Sequence, residues 1–333
     1  DASVGIDIRD IFYDMRRVSV AVVEGMFDIG LTGVLDTLSM ANDLAPTLAC
    51  PVPFAVELVG VRRRVRTQHG LGVPVQPVDS RRAPDIAMVP ALGAKVPGAL
   101  AQALGRNDVR ETADWLAWAH GAGALVAAAC TGTYVLAASG ALDGARATTT
   151  WWLAADFRTR FPRVELDDTQ MVVEDGRRVT AGAALAHIDL ALWLVRQHSP
   201  ELAALVSRYL VIDGRASQAA FSISDHLAHD DPVVRRFEHW CRSHLADFSM
   251  EAAARASGAS ERTLQRRVRR TLGRTPIGFV RDLRVERALH LLRTTDDAVD
   301  AIAEAVGYRD GVTLRALLRE KTGATVGSLR RAP

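Results

Sequence analysis

The chain is poor in cysteine: Cys50, Cys130 and Cys241 are the only three in 333 residues, odd in number and far apart. That argues against a disulfide framework or a cysteine-built zinc site and suits a reducing cytoplasm. No run of about eighteen apolar residues is present, so no membrane span is expected, and no signal peptide is legible. A Walker loop, a GxGxxG fingerprint and a metal-spaced His/Asp cluster are likewise missing, and no cofactor is expected. Net charge is also scarce, at +2, but the small total conceals an asymmetry. From Val233 onward there are 20 Lys and Arg against 12 Asp and Glu, a net +8, whereas residues 1–232 carry 21 against 27, a net −6. A basic C-terminal part joined to an acidic N-terminal one suits a polyanion binder attached to something else.

What is present is clearest near the end of the chain. Ser249 can N-cap a helix with Met250, Ala253, Ala254 and Ser257 on its packing side. Gly258 permits a turn, and Ser260 caps a second helix that starts at Glu261. At 100° per residue, Arg262, Gln265, Arg266 and Arg269 share one arc of roughly 100°, opposite Leu264, Val268 and Thr271. One face can pack while the other offers three guanidinium groups and an amide to phosphates and base edges. A merely solvated basic helix is the plain alternative.

About fifty residues on, AIAEAVGYRDGVTLRALLREKTG (301–323) repeats the pattern with a turn one residue longer. Thr294, Thr295, Asp296 and Asp297 offer caps, Ile302, Ala303 and Val306 a packing face, and Gly307 matches Gly258. Between the copies, Pro276 opens one amphipathic helix, IGFVRDLRVERALHLL. At 1.5 Å per residue it spans on the order of 25 Å, enough to hold two recognition helices about one duplex turn apart.

With ERTLQRRVRRTLG, LRVERALHLL and AVGYRD in view, the segment 233–333 resembles the DNA-binding domain of AraC-type transcription regulators. The resemblance implies that Arg262, Gln265 and Arg266 read bases, with Ser260, Thr263, Arg269, Thr313, Arg315 and Arg319 completing the DNA-facing set. In the second recognition helix the matching positions are Gly311, Val312, Thr313 and Ala316, where the family usually places a polar residue second and Arg last. Ala316 cannot make a bidentate base contact, so the first motif is expected to read sequence and the second mainly to position it.

The N-terminal part reads as strands alternating with helices: strands at 18–23, 55–61, 85–90 and 124–129, helices at 30–42, 108–120, 133–139 and 184–196. Short strands are expected at 171–173 and 178–180, and Trp115 and Trp118 as core. This order indicates a parallel sheet covered by helices. Residues 1–15 read as a loosely ordered leader, and 216–232, polar and broken by Pro232, as the connection to the basic domain.

Cys130 stands where a buried strand runs into a sharp turn and a helix, the geometry of a nucleophile elbow. With PDIAMVPALG, VAAACTGTYVLAASGALDGARATTTWW and TAGAALAHIDLALWLV, roughly residues 16–200, within a domain expected over 16–215, resemble the PfpI-like, class I glutamine amidotransferase-like superfamily. The resemblance implies a flavodoxin-like fold, Cys130 as the elbow cysteine and Asp28 near it. Thr131 follows Cys130, and Thr150 stands where relatives carry His, so an acyl-transfer mechanism lacks its base. His187, His69 and His120 read as surface groups or satisfied partners. Cys130 is then either a residue that fits the elbow or part of a small-molecule or redox-sensing pocket with Asp28, Gly93, Thr131 and Trp151.

Together the two resemblances imply an α/β domain followed by an all-α domain with two helix-turn-helix motifs. They imply a cytoplasmic, homodimeric regulator that binds double-stranded DNA, is not an enzyme, and takes a small-molecule effector. The alternatives are a cysteine-dependent amidase, peptidase or hydratase acting through Cys130, and an architectural DNA binder with an inert N-terminal domain.

Overall fold

The computed structural model describes residues 15–79, 81–212, 218, 231–322 and 325–331. The expected leader lies outside them except at Met15, and the expected connection except at Gln218, Asp231 and Pro232. The described residues fall into two compact units, within 1–151 with 161–218 and within 152–160 with 219–333.

The first unit is built on a seven-stranded sheet of order β10-β11-β7-β6-β1-β2-β5. Its strands are β1 (Arg16–Ala21), β2 (Phe54–Gly60), β5 (Gln76–Pro77), β6 (Ile86–Val89), β7 (Leu125–Ala129), β10 (Val172–Asp175) and β11 (Arg178–Ala181). All neighbours are parallel except β10 with β11. Val18, Val20, Ile86, Met88, Val126 and Ala128 are buried, as apolar runs in central parallel strands require. The strand expected at 18–23 begins two residues earlier, and Val22 continues its ladder by donating to the Val59 carbonyl. Small pairs, β3 (Arg64–Arg66) with β4 (Gly72–Pro74) and β8 (Arg146–Ala147) with β9 (Glu165–Leu166), lie outside the main sheet.

The first unit's helices are α1 (Asp28–Leu44), α2 (Pro97–Leu104), α3 (Asn107–Gly121), α4 (Gly132–Ala138), α6 (Ala186–His198) and α7 (Pro200–Leu210). They form two groups on the sheet: α1 packs with α6 and α7, and α3 with α4 against β7. Trp115 is core as expected, but Trp118 is half-buried, because it falls beside the packing stripe of Val109, Thr112, Ala113, Leu116 and Ala119. A short helix, α5 (Ala154–Arg160), counts with the second unit.

The rest of the second unit is helical: α8 (Pro232–Ser243), α9 (Met250–Ser257), α10 (Glu261–Leu272), α11 (Pro276–Thr294), α12 (Val299–Ala305), α13 (Gly311–Thr322) and α14 (Val326–Arg331). Two cores form, and α11 feeds both. Phe279, Val280 and Leu283 join Phe237, Ala253, Ala254, Leu264, Val268 and Leu272. Val285, Ala288, Leu289 and Leu292 join Ile302, Ala303, Val306, Leu314 and Leu318. The caps expected for α12 are not used: Thr294 and Thr295 bond back to the His290 and Leu291 carbonyls, and Ala298 precedes the helix without a side-chain cap. Each threonine hydroxyl lies within reach of the carbonyl four residues back at the end of α11, and that acceptor is nearer than the start of α12.

Candidate functional site

The elbow forms because β7 ends at Ala129, Cys130 turns the chain in the left-handed region, φ 55°, and α4 starts two residues after it. Such a φ is costly for a residue with a Cβ. It is held by bonds on both sides: Cys130 donates its N–H to the Ala181 carbonyl at 2.9 Å, and its own carbonyl accepts from the Thr149 hydroxyl at 2.8 Å. Gly132 is required here, since a Cβ on it would stand 2.4 Å from the Val89 carbonyl oxygen and 2.5 Å from that of Pro90.

The site is assembled by a chain of hydrogen bonds across the C-terminal ends of β1, β6 and β7. The Thr131 hydroxyl donates to the Leu92 carbonyl at 2.8 Å, Gly93 donates to the Gly25 carbonyl at 2.8 Å, and Phe27 to Ala91 at 2.9 Å. Asp28 opens α1; its carboxylate accepts from the Thr67 hydroxyl and lies 2.7 Å from His69 Nδ1. Burial acts to raise the Asp28 carboxyl, but the Thr67 and His69 bonds outweigh it and hold the group below the usual carboxylate range. Asp28, Gly93, Cys130 and Thr131 are thus brought together, and half-buried Trp151 follows Thr150 directly.

The chemistry offered by Cys130 is that of a protonated thiol. Burial pushes it up to about 11, against the smaller opposing effects of the Thr131 N–H, the Thr150 and Thr131 hydroxyls and Lys95. The Thr150 hydroxyl is buried beside the thiol without completing a hydrogen bond. His187 is buried with both ring nitrogens occupied: Nε2 accepts the Ala91 N–H at 3.0 Å and Nδ1 donates to the Ala184 carbonyl at 2.7 Å. It is a satisfied partner, as is His69.

Sequence reasoning missed Gln218. Its side chain is buried, and Nε2 donates to the Thr149 carbonyl at 2.9 Å and the Thr148 hydroxyl at 3.2 Å, on the segment that braces Cys130. Its polar surroundings in sequence signalled solvent, and only the long-range fold reveals the burial.

In the second unit, α9, Gly258 at φ 67° and α10 form the first helix-turn-helix. Ser249 accepts from Ala252 N–H and Ser260 from Thr263 N–H, the expected caps. Arg236 of α8 donates twice to the Ser257 carbonyl, satisfying the C-terminus of α9. Arg262, Gln265, Arg266 and Arg269 are exposed, whereas Leu264, Val268 and Leu272 are buried. The hydroxyls of Ser260 and Thr263 bond each other at the helix start. In the second motif, Gly307 takes φ 89°, and Asp300 accepts the Gly311 N–H at 2.8 Å. Thr313 donates its N–H to Asp310, Arg315 reaches Asp300 at 3.8 Å, and Arg319 is exposed.

An α/β unit with a cysteine elbow, followed by a double helix-turn-helix unit, defines a two-part architecture. Residues 16–197 match the DJ-1/PfpI family over more than half of the chain, and the chain belongs to that family. Residues 253–332 match a helix-turn-helix domain of AraC type. Among curated relatives, the HTH-type transcriptional regulator ArgR of Pseudomonas aeruginosa is 30% identical over 209 residues, covering 61% of this chain and 63% of its own. The HTH-type transcriptional regulator CdhR of the same organism is 34% identical over 189 residues, 54% of each chain. The matches therefore span between about half and two thirds of these relatives' length. A solved structure from Vibrio parahaemolyticus shares the fold with TM-score 0.50 and 21% identity, covering 59% of this chain and 99% of that one. Among the described residues no helix is long and apolar enough to cross a membrane.

Proposed function

We propose that this protein is a sequence-specific DNA-binding transcription regulator. The observation that carries the reading is α10: a capped, packed helix whose outward arc presents Arg262, Gln265, Arg266 and Arg269 together. Arginine and glutamine suit the base edges of guanine and adenine in the major groove. The named relatives, both transcriptional regulators, support it. The first unit acts as a cytoplasmic dimerisation and sensing domain, with a small-molecule effector bound near Asp28, Gly93, Cys130, Thr131 and Trp151.

The domain division adopted is 16–215 for sensing and 233–333 for DNA. Catalysis by Cys130 is disfavoured by its protonated thiol and by the occupied ring of His187. The test is retention of fragmented genomic DNA by the full chain at about 0.15 M salt, followed by sequencing. A few promoters sharing a paired motif support the reading; uniform retention overturns it. Arg266→Ala is expected to cost about 1–3 kcal/mol on the selected motif and much less on random duplex.

A further inference from the structure

The second recognition helix, α13, has its polar side chains largely occupied within the domain. The Thr313 N–H and hydroxyl bind the Asp310 carboxylate, which those bonds hold below the usual carboxylate range. Arg315 is drawn to Asp300, which also receives the Gly311 N–H. Buried Leu314 and Leu318 fix the rotation of the helix. That rotation leaves Val312, 71% exposed, and exposed Ala316 one turn apart on a single outward stripe, with Arg319 continuing it. Isolated exposed apolar residues are common, but this stripe lies on the helix that repeats α10, in a unit carrying net positive charge. Arg319 at its end is suited to phosphate.

We propose that Val312 and Ala316 read thymine C5-methyl groups in the major groove, so that α13 selects T-containing steps by apolar contact and does not merely position α10. This rests on the regulator reading and refines it. A methyl group is the one apolar feature on a base edge in the major groove, and small apolar side chains are its fitting partners. The two residues are about 6 Å apart along the helix, close to the rise of two base pairs.

The experiment begins with selection of a binding motif from random duplex by the full chain. Each thymine of that motif is then replaced by deoxyuridine, which removes the methyl and nothing else, and affinity is measured by fluorescence anisotropy. Wild type is expected to lose about fourfold per contacted methyl at one or two positions in one half of the motif. Val312→Ser, which replaces the apolar contact with a small polar group, should bind the thymine and uracil duplexes equally at one of those positions, while keeping wild-type discrimination in the other half. If Val312→Ser retains the full thymine preference, or if no position discriminates, the proposal is overturned. Failure of the regulator reading looks different: selection then yields no motif, and both fall together. Circular dichroism of Val312→Ser confirms that any loss is not one of folding.

Discussion

His187 takes the backbone N–H of Ala91 on Nε2, and because that donor leaves the nitrogen only an accepting role, the ring proton sits on Nδ1, facing the Ala184 carbonyl. One imidazole thereby ties the start of α6 to the loop after β6. It also stands so close to α1 that a Cβ on Gly30 would lie 2.8 Å from Nε2.

Burial pushes His187 down to about 4, the Ala184 bond opposing it. The unfolded chain takes up this proton near the ordinary value of 6.5, the folded chain only near 4. Between these values the unfolded state binds more protons, so stability rises with pH and is lost on acidification from 6.5 toward 4. The loss expected from this ring alone is up to roughly 3 kcal/mol. Urea unfolding across that window should show it in wild type and not in His187→Gln, whose amide oxygen can still accept the Ala91 N–H. Identical slopes in the two proteins refute a neutral buried ring.

Cys130 should resist alkylation. With its thiol raised to about 11, roughly one molecule in ten thousand is thiolate at pH 7. Iodoacetamide followed by peptide mass spectrometry is expected to modify half-buried Cys50 first and Cys130 only in denaturant or above about pH 10. Rapid modification of Cys130 in the folded protein at pH 7 would revive the catalytic and redox readings.

Arg269 is the last of the outward residues along α10, about two turns beyond Arg262 toward the C-terminal end of the helix. Arg269→Ala is expected to weaken binding to specific and random duplex alike and to reduce the salt slope by about one. An altered selected motif would instead make Arg269 a base reader.

Asp231 caps α8 by accepting from Val233 and Val234 N–H, and Arg267 of α10 reaches the same carboxylate at 3.1 Å. Asp231→Ala should lower stability by about 1 kcal/mol, with Asp231→Asn milder because the amide oxygen still caps. Thermal melting of the full chain decides; equal melting of wild type and Asp231→Ala would show that the cap contributes nothing.

The first helix-turn-helix was legible because its determinants are local: Ser249 and Ser260 cap, Gly258 turns, and the apolar period falls on one face. The elbow was legible for the same reason, a buried run ending on Cys130 before a helix. What surrounds the elbow was not. Thr67 and His69 meet Asp28 from about forty residues away, on a loop between strands of three residues each, too short for a period to show. The polar Thr148–Thr150 stretch is buried because Thr180, Gln170 and Gln218 supply its hydrogen bonds, partners that no local pattern announces. In the second motif the caps were misassigned because Thr294 and Thr295 serve the preceding helix.

Helix α11 contributes to both cores of the second unit, and its Asp282 is gripped by Arg274 and Lys321, each at 2.7 Å, beside an Arg281–Glu320 pair. Such a rod fixes angle as well as distance. On the proposed reading, α10 and α13 cannot be turned independently about the axis of the duplex they grip. Each base pair added between their two blocks of sequence rotates the second block by about 35°, and five carry it to the far side. The operator therefore behaves as a phase-locked pair: exchanging letters in the spacer leaves recognition nearly intact, while lengthening it by half a turn abolishes one of the two grips.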